Sequence, residues 1–140
     1  MAPQRVLVPL DGSPQAHEAL TYATETFPEA EIVVVHVLNP SAGKTDIEGI
    51  ITDTAGVVDE QQQFAQKLFE EARETAGDRI VDSEVLAGRA ANEIIKYVAE
   101  HDIDAIVMGS HGRDGAARLL LGSVSETVVR RSPVPVTVVR

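Results

Sequence analysis

The sequence predicts an α/β fold in which one open, doubly wound, parallel five-stranded sheet carries helices on both faces, within a single domain spanning residues 1–140. Short β-branched runs alternate with segments of helical periodicity. Hydrophobic residues make up 44% of the chain but aromatic residues only 4%. The core is therefore aliphatic, which is typical of a buried parallel sheet. A length of 140 residues suits one ordinary domain.

The first quarter of the chain predicts a strand, a helix and a second strand. Residues Val6–Leu10 form an apolar run that ends at a turn. In that turn Ser13 suits the N-cap of a helix and Pro14 its first position. The second strand is the β-branched run Ile32–Val37. Between the strands, one helical stripe contains Ala16, Ala19, Leu20, Ala23 and Phe27.

The middle of the chain predicts a long connection, a helix and a weaker strand. Residues Asn39–Gly56 have no strong periodicity and are expected to form the connection. The helix is predicted over Val57–Ala76, with Gly77 ending it. The third strand is predicted over Ile80–Leu86.

The last third continues the alternation of helix and strand. We expect a strand at Ala105–Met108, a helix at Ser123–Arg131 and a final strand at Val134–Val139. Because Pro133 and Pro135 cannot donate ladder hydrogen bonds, the final strand is expected at an edge of the sheet. The helix before the fourth strand is indicated by Ala91, Ile94, Ile95, Val98 and Ala99.

Charge and composition exclude several classes of function. A net charge of −10 opposes binding to nucleic acid or to an anionic membrane surface. The absence of cysteine excludes disulfides, thiolate metal sites and thiol nucleophiles. Met1–Arg5 leads directly into a strand pattern without a basic leader, and no apolar run reaches the roughly 18 residues of a membrane span. We therefore expect a cytoplasmic protein that binds neither nucleic acid nor membranes.

A glycine-rich segment after the fourth strand is the most informative part of the sequence. Met108 ends that strand, and Gly109, Gly112 and Gly122 follow before a helix that begins at Ser123. Glycines permit left-handed dihedral angles and close approach of the main chain to a phosphate. The N-terminus of a helix offers free N–H groups and a positive dipole end to an anion. Ligands of parallel sheets lie beyond the carboxyl ends of the strands, where this segment is expected.

Some of these residues have a second, purely structural interpretation. Ser123 with Glu126 matches a capping box, so that Ser123 would only begin the helix. Asp11 could stabilise the turn after the first strand rather than contact a ligand. His111 and Arg113 lie inside the glycine-rich segment and would face either phosphate or water.

The pattern Gly109-x2-Gly112-x9-Gly122-Ser123 resembles the nucleotide-binding signature of the ATP-binding branch of the universal stress protein A family. Segments 6–13, 35–37 and 132–136 also resemble that family, so the likeness covers essentially the whole chain. The resemblance implies the sheet order 3-2-1-4-5 of the adenine nucleotide alpha hydrolase-like fold. It places a crevice between the first and fourth strands.

The resemblance also implies the ligand, the residues around it and the assembly. ATP would bind with Mg²⁺, and a homodimer would form by antiparallel pairing of the final strands, Val134–Val139. Pro9, Leu10 and Asp11 would lie beside the adenine and ribose, with Asp11 as the polar contact, and Val37 would flank the adenine. The three glycines, with Ser123 and Val124, would hold the phosphates. Neither catalytic residues nor metal ligands are assigned. The implied nucleotide-binding residues are Pro9, Leu10, Asp11, Val37, Met108, Gly109, His111, Gly112, Arg113, Gly122, Ser123 and Val124.

The function expected from this resemblance is a nucleotide-dependent regulatory module of a stress response. The sequence has no Walker A lysine motif and no evident base for water activation, so any hydrolysis is expected to be slower than about 1 per second. An ATP-pyrophosphatase-type enzyme fits less well, because residues 10–13 do not form the serine-glycine-glycine loop of that group. A nucleotide-free interaction module is the other alternative.

Overall fold

The computed structural model describes residues 2–38, 54–110 and 122–140. Strands and α-helices alternate along the described chain, and a 3₁₀ turn at Gly77–Arg79 precedes the third strand. The strands are β1 (Arg5–Pro9), β2 (Glu31–Leu38), β3 (Ile80–Ala87), β4 (Ala105–Gly109) and β5 (Val136–Val139). The helices are α1 (Pro14–Thr26), α2 (Thr54–Ala76), α3 (Ala90–Glu100) and α4 (Ser123–Arg131).

All strand pairs are parallel, and the sheet order is β3-β2-β1-β4-β5, which confirms the predicted fold class and order. The chain places β2 and β3 on one side of β1 and β4 and β5 on the other, so the strand order reverses at β1. β1 pairs with β2 along its whole length, as far as Pro9 opposite Val35. With β4 it pairs only near its amino end, at Val6 and Leu7. The carboxyl ends of β1 and β4 are therefore not bridged by a ladder.

The two faces of the sheet carry separate aliphatic clusters. Val6 and Val8 point to the face covered by α1 and α2, and both are fully buried. Leu7 points to the opposite face, where it meets residues of α3 and α4. Burial on both sides of one strand explains why β1 is apolar without alternation, as expected for a central parallel strand.

The start of α1 is fixed by the sequence Asp11–Pro14. Gly12 has φ +86°, a conformation that favours glycine, and the Asp11 carboxylate accepts a hydrogen bond from Ser13 N at 2.9 Å. Ser13 is the N-cap, and its Oγ accepts from Ala16 N at 3.1 Å. Pro14 occupies the first helical position. The predicted turn and cap are confirmed.

Two boundaries differ from the sequence-based expectation. α2 begins at Thr54, so the end of the predicted connection, which was placed at Gly56, is helical. β5 begins at Val136 rather than Val134. Ser132 explains the second difference, because its hydroxyl donates to the Val134 carbonyl at 2.7 Å and accepts from Val134 N at 3.0 Å. In that local turn, the N–H and carbonyl of Val134 are bonded to Ser132. A longer strand would need these groups for pairing with its neighbour. β5 lies at the predicted edge.

None of the described helices combines the length and apolar character needed to cross a membrane.

Arg79 connects three segments at the amino end of the sheet. Its guanidinium donates to the carbonyl oxygens of Thr24, at 3.2 Å, and of Ala30, at 3.0 and 3.2 Å. It also donates to the Phe27 carbonyl. These acceptors lie at the end of α1 and in the turn that leads to β2. A single side chain before β3 therefore holds the α1–β2 connection in place.

We expect Arg79→Ala to lower the free energy of unfolding by about 2–3 kcal/mol, because hydrogen bonds from a charged donor are strong and the carbonyls lose their partner. Urea denaturation followed by circular dichroism measures the change. Arg73→Ala is the matched control, because Arg73 makes only a 3.5 Å contact with Ser83 Oγ at an exposed position. Equal losses in the two variants would contradict the role given to Arg79.

Candidate functional site

A cleft opens at the carboxyl ends of β1 and β4, at the reversal of strand order. It encloses about 640 Å³ of empty space, including its open mouth. The position is the one expected for ligands of doubly wound sheets. Its lining residues are Pro9, Leu10, Asp11, Ala16, His36, Val37, Ala90, Ile94, Met108, Gly109, Ser123, Val124 and Ser125.

The structure brings most of the sequence-predicted site residues together at this cleft. Gly122 lies next to it, as the N-cap of α4, but is not part of the lining. His111, Gly112 and Arg113 lie outside the described residues. The predicted residues that line the cleft are Pro9, Leu10, Asp11, Val37, Met108, Gly109, Ser123 and Val124.

Gly109 lets α1 approach the end of β4. A Cβ at this position would lie 2.6 Å from the carbonyl carbon of Gln15 and 2.7 Å from the backbone nitrogen of Ala16. Neither Gly109 nor Gly122 uses the left-handed dihedral angles that glycine permits. Gly109 does not have a positive φ, and Gly122 has φ −66° and ψ 162°. The requirement at Gly109 is space, since the first turn of α1 packs directly on its backbone.

α4 presents its N-terminus to the cleft. Its first residue is Ser123, as predicted, but the N-cap is Gly122, so the predicted capping box of Ser123 with Glu126 is wrong. Within the described residues no side chain caps this helix end. Ser125 is 2% exposed, and its Oγ donates to the Gly122 carbonyl at 3.1 Å. The first N–H groups of α4 are therefore not used by a capping side chain, which suits an anionic ligand.

Leu10 is held to β2 through both of its backbone polar groups. Its N–H donates to the Val35 carbonyl at 2.8 Å. Its carbonyl lies 2.7 Å from Nδ1 of His36. Because a carbonyl oxygen can only accept, Nδ1 is the donor and carries the proton. His36 lies on the wall of the cleft.

Sequence reasoning missed several other lining residues. A usable signal existed for most of them, because the helices that follow β1, β3 and β4 each begin at the carboxyl edge of the sheet. The first turns of those helices must therefore face the cleft. Ala16, Ala90 and Ser125 lie in these first turns, and Ile94 lies one turn further along α3.

The walls of the cleft combine aliphatic surface with few charges. Among the described lining residues the ionisable ones are Asp11 and His36, and none is Lys or Arg. In the described ranges, no group of three or more His, Asp or Glu side chains could hold a metal ion. A flat, largely apolar group fits such walls, and an anionic tail fits the N-terminus of α4.

Gly109→Ala should lower the free energy of unfolding by about 1–3 kcal/mol, because the new methyl group overlaps backbone atoms that cannot move separately. Thermal and urea denaturation measure the loss. Gly77→Ala is the control, since Gly77 has φ +58° but nothing within 4 Å of an added Cβ. Its cost is only that of the strained backbone. A Gly109→Ala variant as stable as the wild type would contradict the close packing of α1 on β4.

A parallel sheet of order 3-2-1-4-5 with a cleft at its point of reversal defines the chain as a Rossmann-like α/β protein. The model of the universal stress protein family matches residues 3–140. The chain therefore belongs to the universal stress protein family. It is 32% identical to a universal stress protein of Methanocaldococcus jannaschii, over 98% of this chain and 94% of that protein.

Solved structures of the family share the fold. The universal stress protein UspA from Lactobacillus plantarum superposes with a TM-score of 0.81 at 25% identity, covering 98% of this chain and 97% of that one. A universal stress protein in complex with cAMP has a TM-score of 0.70 at 21% identity, with coverage of 100% and 99%. A family protein from Arabidopsis thaliana with AMP bound has a TM-score of 0.69 at 16% identity, with coverage of 98% and 91%.

Proposed function

We propose that this protein binds ATP together with Mg²⁺ in the cleft between β1 and β4, and acts as a nucleotide-dependent regulatory module of a stress response with little or no hydrolysis. The observation that carries the proposal is the cleft itself. It lies at the reversal of strand order and is lined by aliphatic side chains. At its wall lies a helix N-terminus that no side chain of the described residues caps. A cytoplasmic location, expected from the sequence, stays a prediction.

The aliphatic part of the cleft suits an adenine ring. Leu10 is 7% exposed and Met108 is 4% exposed, so both are packed firmly below the surface. Val37 and Val124 contribute further apolar surface. At the mouth, the exposed carboxylate of Asp11 is an acceptor for ribose hydroxyl groups. For Leu10, Asp11 and Val37, the sequence resemblance implies the same nucleoside contacts.

The N-terminus of α4 suits the phosphates. The N–H groups near Ser123 and Val124 carry the positive end of the helix dipole. Because the described lining adds the negative charge of Asp11 and no Lys or Arg, a bound Mg²⁺ would supply the missing positive charge. The phosphate contacts predicted for His111, Gly112 and Arg113 stay predictions.

Two further observations support the proposal. Proteins of the same fold are known with AMP or with cAMP, which are both adenine nucleotides. Little hydrolysis is expected, because the sequence has no Walker A lysine motif. The ionisable groups of the described lining are Asp11 and His36. No pair of a base and a positioned water-activating partner is evident among those residues.

Replacement of Gly122 by valine tests where the phosphates bind. Its backbone angles, φ −66° and ψ 162°, are open to any L-residue, so the variant should keep its fold while the side chain crowds the end of α4. We expect Mg-ATP binding measured by calorimetry to weaken at least about tenfold, which corresponds to 1.4 kcal/mol.

Ala2→Val is the matched control for this experiment. Ala2 is exposed and lies at the amino end of the sheet, away from the cleft. The control should bind Mg-ATP like the wild type. The proposal fails if the wild type, stripped of nucleotide and correctly folded, binds no Mg-ATP, and the phosphate site fails if Gly122→Val binds as tightly as the control.

We also propose a homodimer in which two copies of β5 pair antiparallel. β5 is an edge strand, and all four of its residues are half-buried in the monomer. Val136 and Val138 pack against the cluster beneath α3 and α4. An apolar edge of this kind pairs readily with another strand. The sequence resemblance implies the same contact through Val134–Val139.

Val136→Asp should convert the dimer to a monomer in sedimentation experiments, because a carboxylate would be desolvated next to its symmetry-related copy. Val81→Asp provides the comparison, since Val81 is 47% exposed on β3, the other edge strand. That variant should remain dimeric. Dimers that persist in Val136→Asp but not in Val81→Asp would show that the wrong edge was chosen.

A further inference from the structure

Through His36, β2 stays hydrogen-bonded to the chain beyond the end of β1. β1 ends at Pro9, and the next residue, Leu10, is still bonded to β2 through the Val35 carbonyl and through His36 Nδ1. After Leu10 the chain turns at Asp11. The imidazole therefore connects β2 to the segment that enters the cleft wall.

Phe64 of α2 packs against the imidazole ring of His36. The ring centroids of Phe64 and His36 are 5.5 Å apart, with an interplanar angle of 68°, which is an edge-to-face contact. Phe64 also lies over the turn after β1, because a Cβ at Gly12 would be 2.8 Å from its Cζ. Phe64 is nevertheless 46% exposed. Its contacts thus serve the His36 ring and the turn more than the hydrophobic core.

We propose that His36 is a positioning residue of the nucleotide cleft, which fixes Leu10 and Asp11 for the ligand and is itself fixed by Phe64. This inference rests on the proposed function, since it assigns a role within the same cleft. We call His36 and Phe64 the brace.

The brace acts by removing alternative conformations before the nucleotide arrives. Leu10 and Asp11 both line the cleft, and the Asp11 carboxylate accepts from Ser13 N, so a shift of Leu10 would also move Asp11 and the start of α1. A segment that is already ordered loses less conformational entropy on binding. A side chain held by a hydrogen bond on one side and a ring on the other is itself ordered.

Substitutions at His36 separate the hydrogen bond from the ring. His36→Asn keeps an N–H donor near the position of Nδ1 but loses the ring, whereas His36→Phe keeps a ring and loses the donor. With Mg-ATP in calorimetry, we expect His36→Phe to bind about fivefold more weakly than the wild type, the value of one hydrogen bond. His36→Asn should stay within about twofold. Rescue by Asn and not by Phe identifies the donor to Leu10 as the essential group.

Phe64→Ala tests whether the aromatic contact acts through His36. In the wild-type background it should weaken Mg-ATP binding about twofold. In the His36→Asn background the loss should be smaller, because the ring it supports is gone and only its contact with the turn at Gly12 remains. Tyr22→Ala removes a comparably exposed aromatic side chain, 40% exposed on α1, and should not alter binding. Circular dichroism verifies that each variant is folded.

The outcomes separate this inference from the proposed function. A wild type that binds no adenine nucleotide overturns both. A wild type that binds, together with a folded His36→Phe that binds equally well, overturns the positioning role alone. If His36→Phe does not fold, the two Phe64→Ala backgrounds decide, and equal losses in both overturn the role of the brace.

Discussion

The cleft exists because β1 pairs with its two neighbouring strands over different lengths. It remains paired with β2 as far as Pro9, but its ladder with β4 is confined to Val6 and Leu7. Helices leave the sheet on opposite faces after these two strands, with α1 on one face and α4 on the other. Among the described residues, no strand or helix fills the space between Pro9 and Gly109, and a ligand site results from the topology.

The walls of this site depend on the backbone more than on charged side chains. Gly109 allows α1 to pack against β4 without a Cβ between them. Gly122 is the N-cap of α4, and no side chain of the described part of the chain caps the first N–H groups of that helix. Leu10 is fixed by two hydrogen bonds with β2: its N–H donates to the Val35 carbonyl, and its carbonyl accepts from His36 Nδ1. A nucleotide that binds here would meet surfaces that are ordered before it arrives, which favours affinity without a cluster of basic residues.

Sequence reasoning succeeded where the signal was local. The alternation of apolar strands and amphipathic helices, the cap at Ser13 and the edge position of β5 are all confirmed, because each depends on neighbouring residues. It failed where the cause was a contact distant in sequence. The need for glycine at 109 comes from α1, and the role of His36 comes from a carbonyl 26 residues earlier together with Phe64. The predicted start of α4 at Ser123 is confirmed, whereas the alternative interpretation of Ser123 as a capping residue is wrong, because Gly122 takes the N-cap position.

A crystal structure of the protein grown with ATP and Mg²⁺ tests the central claim most directly. The account predicts density for adenine between the side chains of Leu10 and Val37, with the phosphates at the N-terminus of α4. Nucleotide bound elsewhere, for example in the groove between α1 and α2 near His17, would contradict the assignment of the site. An empty cleft at saturating nucleotide would contradict the proposed function.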